Sequence, residues 1–168
     1  MFDKRFLPEF AKFFNTSVLI DFAKFGKSTY FNYVIHESGF DKSIVSDITY
    51  SQIYNEIYSI LSMEYKCEYV YKNSIVNQVL IGKHSPSNST LFSEFRAGNS
   101  IADVLILNGT SSVYEIKTEY DNFERLESQI TSYFEMFDKI NVITFPSALS
   151  KIEKLIDKRV GLLTLTED

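Results

Sequence analysis

The alternation of apolar and polar positions divides the chain into a helical first half and a second half that opens with strands. Three helices are marked out between Leu7 and Glu37. One has Pro8 in its first turn and runs to about Asn15; a second covers Val18 to Phe25 and stops at Gly26; a third covers Thr29 to Glu37 and stops at Ser38-Gly39. Asp41 to Asp47 reads as an extended linker. Thr49 and Gln52 fit a capping box that opens a helix to about Met63, with Ile53, Ile57, Ile60 and Leu61 as its core stripe. A further helix is expected from Glu64 to Ile81, halted by Gly82, and Ser85-Pro86-Ser87-Asn88 is a loop signal.

Three β-prone runs follow, over residues 90–96, 101–107 and 111–117, separated by Ala97-Gly98-Asn99-Ser100 and Asn108-Gly109-Thr110. The middle run is apolar on both parities apart from Asp103, which marks a central strand. Asp121 reads as the N-cap of a helix from about Asn122 to Phe137, whose core stripe is Phe123, Leu126, Ile130, Phe134 and Phe137. Arg125, Gln129 and Tyr133 form a second stripe on that helix. Ile140 to Thr144 reads as a buried parallel strand reached by a crossover. Pro146 to Asp157 reads as a short amphipathic helix, and Val160 to Leu165 as a strand at or next to the sheet edge. The expected fold class is α/β (α+β), a mixed sheet flanked by helices. A helical N-terminal extension (1–63) packs on a core (64–168), and the two make one compact domain.

Register can be counted from the turns. If Arg96 pairs with Ile101, Glu94 falls opposite Asp103; if a three-residue loop pairs Leu107 with Ser111, Asp103 falls opposite Glu115. The acids then form a row across three strands with Cβ spacings of about 4.5–5.5 Å, and Lys117 shares a face with Glu115. Like charges so placed repel, and a divalent cation would relieve them.

Bulk numbers narrow the choices. A length of 168 residues suits one domain, and a net charge of −5 argues against a non-specific polyanion binder. Cys67 is the only cysteine, so neither an internal disulfide nor a multi-cysteine zinc site is expected; it reads as a half-buried helix residue. No apolar run approaches a membrane span and charges interrupt the Phe-rich N-terminus, so a cytoplasmic protein is expected. Lys4, Arg5, Lys12, Lys24 and Lys27 read as solvated helix faces, His36 is given no role, and His84 is expected to be solvent-exposed.

Asp103, followed eleven residues later by Glu115-Ile116-Lys117, resembles the D…(D/E)-x-K core of the PD-(D/E)xK nuclease superfamily. Gln129 to Tyr133 resembles the Q-x-x-x-Y motif of its RecB-like branch. Tyr71-Lys72-Asn73, the Ser93-to-Asp103 segment and Tyr114-Glu115-Ile116-Lys117 look most like a group of small bacterial proteins within it. The resemblance covers roughly residues 50–145 and departs at Ala102, where the superfamily name has Pro. It implies a restriction-endonuclease-like core and a metal-dependent nuclease acting on nucleic acid, DNA more than RNA, with Mg²⁺ (Mn²⁺ as substitute). In that reading Asp103, Glu115, Glu94 and the Ile116 carbonyl hold the metal. Lys117 orients the attacking water and stabilises charge, Gln129 contacts the metal-bound water or the phosphate, and Tyr133 and Arg125 contact substrate. The other reading is a catalytically silent binding module on a nuclease fold, in a larger complex such as one of phage defence or anti-defence, with a homodimer or a partner protein.

Overall fold

In the computed structural model, residues 2–40, 49–82 and 87–165 are described. The expected linker at 41–47 lies outside them, as do Lys83, His84 and the first half of the Ser85–Asn88 loop. The chain forms two compact units, Met1–Val70 and Tyr71–Asp168.

The first unit is helical. Helix α1 (Leu7–Ala11) continues into a 3₁₀ turn at Lys12–Phe14 and is followed by α2 (Thr16–Phe25), α3 (Thr29–Glu37) and α4 (Tyr50–Glu64). Gly26 closes α2 with φ 67°, a left-handed conformation that an L side chain resists. The capping box of α4 is present: Thr49 accepts from the Gln52 N–H, and the Gln52 side chain accepts from the Thr49 N–H. Ile53, Ile57 and Leu61 are buried as the 3.6-residue period requires. They meet an aromatic core in which Phe13 and Phe31 lie with centroids 4.4 Å apart and Tyr54 donates to the Phe13 carbonyl at 3.0 Å.

The expected helix from Glu64 to Ile81 is broken. The chain is irregular at 65–67, so Cys67 is buried outside any helix. It then forms α5 (Glu68–Ile75) and a π-helical turn at Val76–Ile81.

The second unit is built on an open five-stranded mixed sheet in the order β1 (Thr90–Ala97), β2 (Ser100–Leu107), β3 (Ser111–Lys117), β4 (Lys139–Thr144), β5 (Gly161–Thr164). The first three strands are antiparallel, and β4 and β5 then add in parallel. Helix α6 (Leu126–Phe134) and the short α7 (Leu149–Ile152) cover one face, where Leu126, Ile130, Tyr133 and Ile152 pack on Val113 and Val142. On the other face Tyr71 and Ile75 pack on Val104, Tyr114, Ile116 and Ile143. A strand residue points to one face and its neighbour to the other, so β3 and β4 feed both cores, Val113 and Val142 one and Tyr114, Ile116 and Ile143 the other.

The start of α6 differs from expectation. Asp121 accepts from the N–H and hydroxyl of Thr118, both at 2.8 Å, and so closes a turn instead of capping a helix. The regular helix begins four residues later than expected, at Leu126. The expected helix from Pro146 to Asp157 is regular only as a 3₁₀ turn at Pro146–Ala148 and the four residues of α7.

Candidate functional site

Both turn registers come out as counted: Arg96 pairs with Ile101 and Leu107 with Ser111. The three-residue loop Asn108–Thr110 is carried by Gly109 at φ 85°. Glu94 and Asp103 both drop out of the β1–β2 ladder, between the pairs Ser93–Val104 and Phe95–Ala102, and Glu115 lies just past the last β2–β3 pair, Val104–Tyr114.

Glu94 takes φ 57°, the only left-handed non-glycine among the described residues. Its side chain is 73% exposed and accepts from Lys72 Nζ at 3.4 Å. Asp103 turns sideways along the sheet, where its Oδ2 accepts from the Ile116 N–H at 2.7 Å. The β2–β3 ladder ends one residue earlier, at Val104–Tyr114, so the carboxylate takes the place of the next carbonyl in the ladder. The apolar alternation reverses at the same point. Ala102 joins the α6-side core and Val104 the α5-side core, although they share a strand parity.

Glu115 is buried, with 2% of its surface exposed. Its Oε1 accepts from Lys117 Nζ at 2.8 Å and from Gln129 Nε2 at 2.7 Å. Its Oε2 accepts from the Tyr133 hydroxyl at 2.6 Å. Lys117 Nζ also donates to Gln129 Oε1 at 3.1 Å, closing a ring of three side chains. Sequence spacing explains the convergence: Glu115 and Lys117 are two apart on one strand, and Gln129 and Tyr133 are four apart on one helix, so each pair shares a face. The Tyr133 oxygen is also 2.9 Å from the Ile101 carbonyl. Its single proton goes to the carboxylate, the stronger, charged acceptor. Burial first, and the neighbouring Glu115 charge second, hold the Tyr133 phenol far above its ordinary pKa.

Each of the three acids expected to hold a metal has a partner within the fold: Lys72 for Glu94, the Ile116 N–H for Asp103, and Lys117, Gln129 and Tyr133 for Glu115. Repulsion between opposed carboxylates is relieved by turning Glu94 out and Asp103 sideways, and by supplying Lys117 to Glu115. Among the described residues no group of three or more His, Cys, Asp or Glu side chains is placed to hold a metal ion. Arg125 is exposed at the start of α6, one turn before Gln129, and its carbonyl accepts from the Gln129 N–H at 2.9 Å.

Away from this network, a cavity of about 320 Å³ is lined by Ile130, Phe134, Leu155, Ile156, Asp157 and Arg159, together with Glu127 and Thr131. Arg159 has no motif around it in the sequence. Its guanidinium lies 4.2 Å from the Phe134 ring centroid and donates to Asp157 at 3.0 Å. The Arg-Asp spacing was the available signal, and a surface pair of that kind is common enough to carry little weight. Among the described residues no helix is long and apolar enough to cross a membrane.

The class this geometry defines is a mixed α/β domain whose central acid is locked in an internal hydrogen-bond network. Residues 61–168 match the family model of Bacteriophage P4 protein cII, and the chain belongs to that family. A curated relative, "Protein cII" of Enterobacteria phage P4, is 29% identical over 79 residues, which span 46% of this chain and 30% of that protein. This membership corrects the expectation of a metal-dependent nuclease: the family reached is a phage cII family, not a nuclease family, and a non-enzymatic module agrees with it better. The hydrolytic role loses its basis. The physical reason is visible at Glu115. The residue types that make a hydrolytic site also make a structural network when they bond to one another within the fold.

Proposed function

We propose that this chain is a non-catalytic binding module of a phage P4 cII-type protein, acting through its surfaces while Glu115, Lys117, Gln129 and Tyr133 brace the sheet against α6. The observation that carries this reading is the engagement of Glu115, a buried carboxylate whose two oxygens accept from Lys117, Gln129 and Tyr133. The order of three antiparallel strands, helix and parallel strand supports a core of restriction-endonuclease-like type in which D…E-x-K and Q-x-x-x-Y persist as structure. Acidic residues outnumber basic ones in both units, which favours a protein partner over nucleic acid. A nucleic-acid partner is the second reading. It rests on the segment 151–159, where Lys151, Lys154, Lys158 and Arg159 outnumber Glu153 and Asp157.

The test is to incubate purified protein with single- and double-stranded DNA and RNA in Mg²⁺ or Mn²⁺, with Lys117→Ala alongside. The expected outcome is no cleavage by either protein, no change in thermal midpoint on adding Mn²⁺, and a lower midpoint for Lys117→Ala. Metal-dependent cleavage that disappears in Lys117→Ala would overturn the proposal. Fluorescence anisotropy with labelled DNA at low and physiological salt decides the second reading: no salt-sensitive binding leaves the protein partner.

A further inference from the structure

The outer face of α2 is apolar. The helix packs inward through Val18, 4% exposed, and through Phe22, whose ring lies 4.6 Å from Tyr50 and 5.2 Å from Phe31. On the opposite side Leu19 is 49% and Ile20 43% exposed, and Ala23 is exposed with them. Ala23 stands one helical turn from both, so the three adjoin. In α4 of the same unit the positions turned to water are Ser51, Gln52, Asn55, Glu56 and Ser59, the composition of a solvated face. The α2 face offers no free carboxylate, because Asp21, the only acid on the helix, accepts from the Ser28 hydroxyl at 3.1 Å. Its charges are Lys24, in the last turn, and Lys27, just past Gly26. Both are exposed and neither has an ion pair among the described residues, whereas Lys4, Arg5 and Lys12 each have a carboxylate partner.

We propose that the outer face of α2 docks an amphipathic helix of a partner protein, laid antiparallel to α2 with acidic residues in its first turn beside Lys24 and Lys27. This deepens the protein-partner reading above and rests on it; the cleavage assay tests that reading, and binding at α2 is scored apart from it. Charge selects the occupant. Two unpaired lysines at one end of an apolar face are matched by acids, and acids are most favourable in the first turn of a helix, at the positive end of its dipole. Antiparallel packing brings that end beside the last turn of α2, where the lysines stand, and sets the two dipoles head to tail. Leu19 and Ala23 form a ridge of the i, i+4 kind, and the small Ala23 leaves room for a leucine of the incoming helix. A second copy of α2 brings no free acid to the lysines. An anionic membrane acts on the whole molecule, and the net charge of −5 opposes it.

A displayed library of amphipathic helical peptides, with a fixed leucine stripe and random charge elsewhere, is sorted for binding to the full chain. The recovered peptides are expected to carry acids in their first turn. They should bind about tenfold more weakly to Ile20→Glu. In low salt they should bind about three- to tenfold more weakly to the variant carrying both Lys24→Glu and Lys27→Glu. The replaced side chains are exposed, so far-ultraviolet circular dichroism should match wild type; should Ile20→Glu misfold, the double lysine variant decides. Failure to recover binders, binders with no acids in the first turn, or binders indifferent to lysine reversal each overturn the proposal. So does co-sedimentation of the chain with phosphatidylglycerol vesicles, or a dimer in sedimentation velocity, that is lost in Ile20→Glu, since the face then belongs to a lipid surface or to a second copy.

Discussion

At the scale of single residues, Glu115 and Lys117 hold the centre of the network. A buried ion pair is a weak source of net stability, but removing one member leaves the other charge without its partner. Lys117→Met is therefore expected to cost about 3–5 kcal/mol by urea unfolding. Replacing Glu115 by Leu in the same chain should cost less than the sum of the two single changes, with a coupling of about 0.5–3 kcal/mol. Tyr133→Phe removes the hydrogen bond that the phenol donates to Glu115 Oε2 and is expected to cost about 1–3 kcal/mol. If Lys117→Met instead leaves the urea midpoint where it was, the network is no brace. These losses bear on the functional reading directly, because a structural network reports the loss of a member in stability.

Among elements, the kink shared by β1 and β2 is the feature that periodicity could not supply. The left-handed backbone at Glu94 costs about 1–2 kcal/mol for an L-residue, so Glu94→Gly is expected to raise stability by up to about 1 kcal/mol after its own entropic penalty. Glu94→Val should lower it, and chemical denaturation of the pair gives the sign. Asp103→Ala strips the acceptor from the Ile116 N–H and is expected to cost about 1–3 kcal/mol, while Asp103→Asn keeps an oxygen in place and recovers most of it. Much of this level was legible beforehand. Gly98 and the Asn108–Thr110 loop disclosed the register, the doubly apolar β2 disclosed a central strand, and the spacings in Glu115–Lys117 and Gln129–Tyr133 disclosed which side chains meet. The reversal of alternation at Asp103 was not legible, because a carboxylate that replaces a ladder carbonyl looks in sequence like one aimed at a cation. The late start of α6 was hidden for a similar reason: Asp121 offers its oxygen equally well to a helix or to a turn, and only the position of Thr118 decides. The family itself was out of reach, since the same acid, lysine and glutamine serve a network or a reaction according to whether any acceptor stays open.

For the whole molecule, tyrosines withdrawn from water, half-buried in the first unit and buried in the second, make its stability depend on pH at the alkaline end. In the first unit burial pushes Tyr54 up to about 12 and raises Tyr30 as well, the latter aided by its hydrogen bond to Glu9. In the second, burial pushes Tyr71 up to about 12, helped by the nearby Glu119 charge, and holds Tyr133 higher still. An unfolded phenol titrates near about 10, so above that pH the unfolded chain sheds protons that the fold retains. The sign follows: stability from these groups is fully present below about pH 10 and drains away as the pH rises toward the folded values, by about 1.4 kcal/mol per tyrosine for each unit of separation. The urea midpoint followed by circular dichroism is expected to fall steeply above about pH 10. It should fall less steeply in Tyr133→Phe, because that variant keeps the aromatic core and loses one titrating group. Tyrosinate absorbance should lag in the folded protein and appear together with unfolding. A midpoint that ignores alkaline pH, or a Tyr133→Phe profile parallel to wild type, would show that the phenol sealing Glu115 ionises freely and that the brace is open to water.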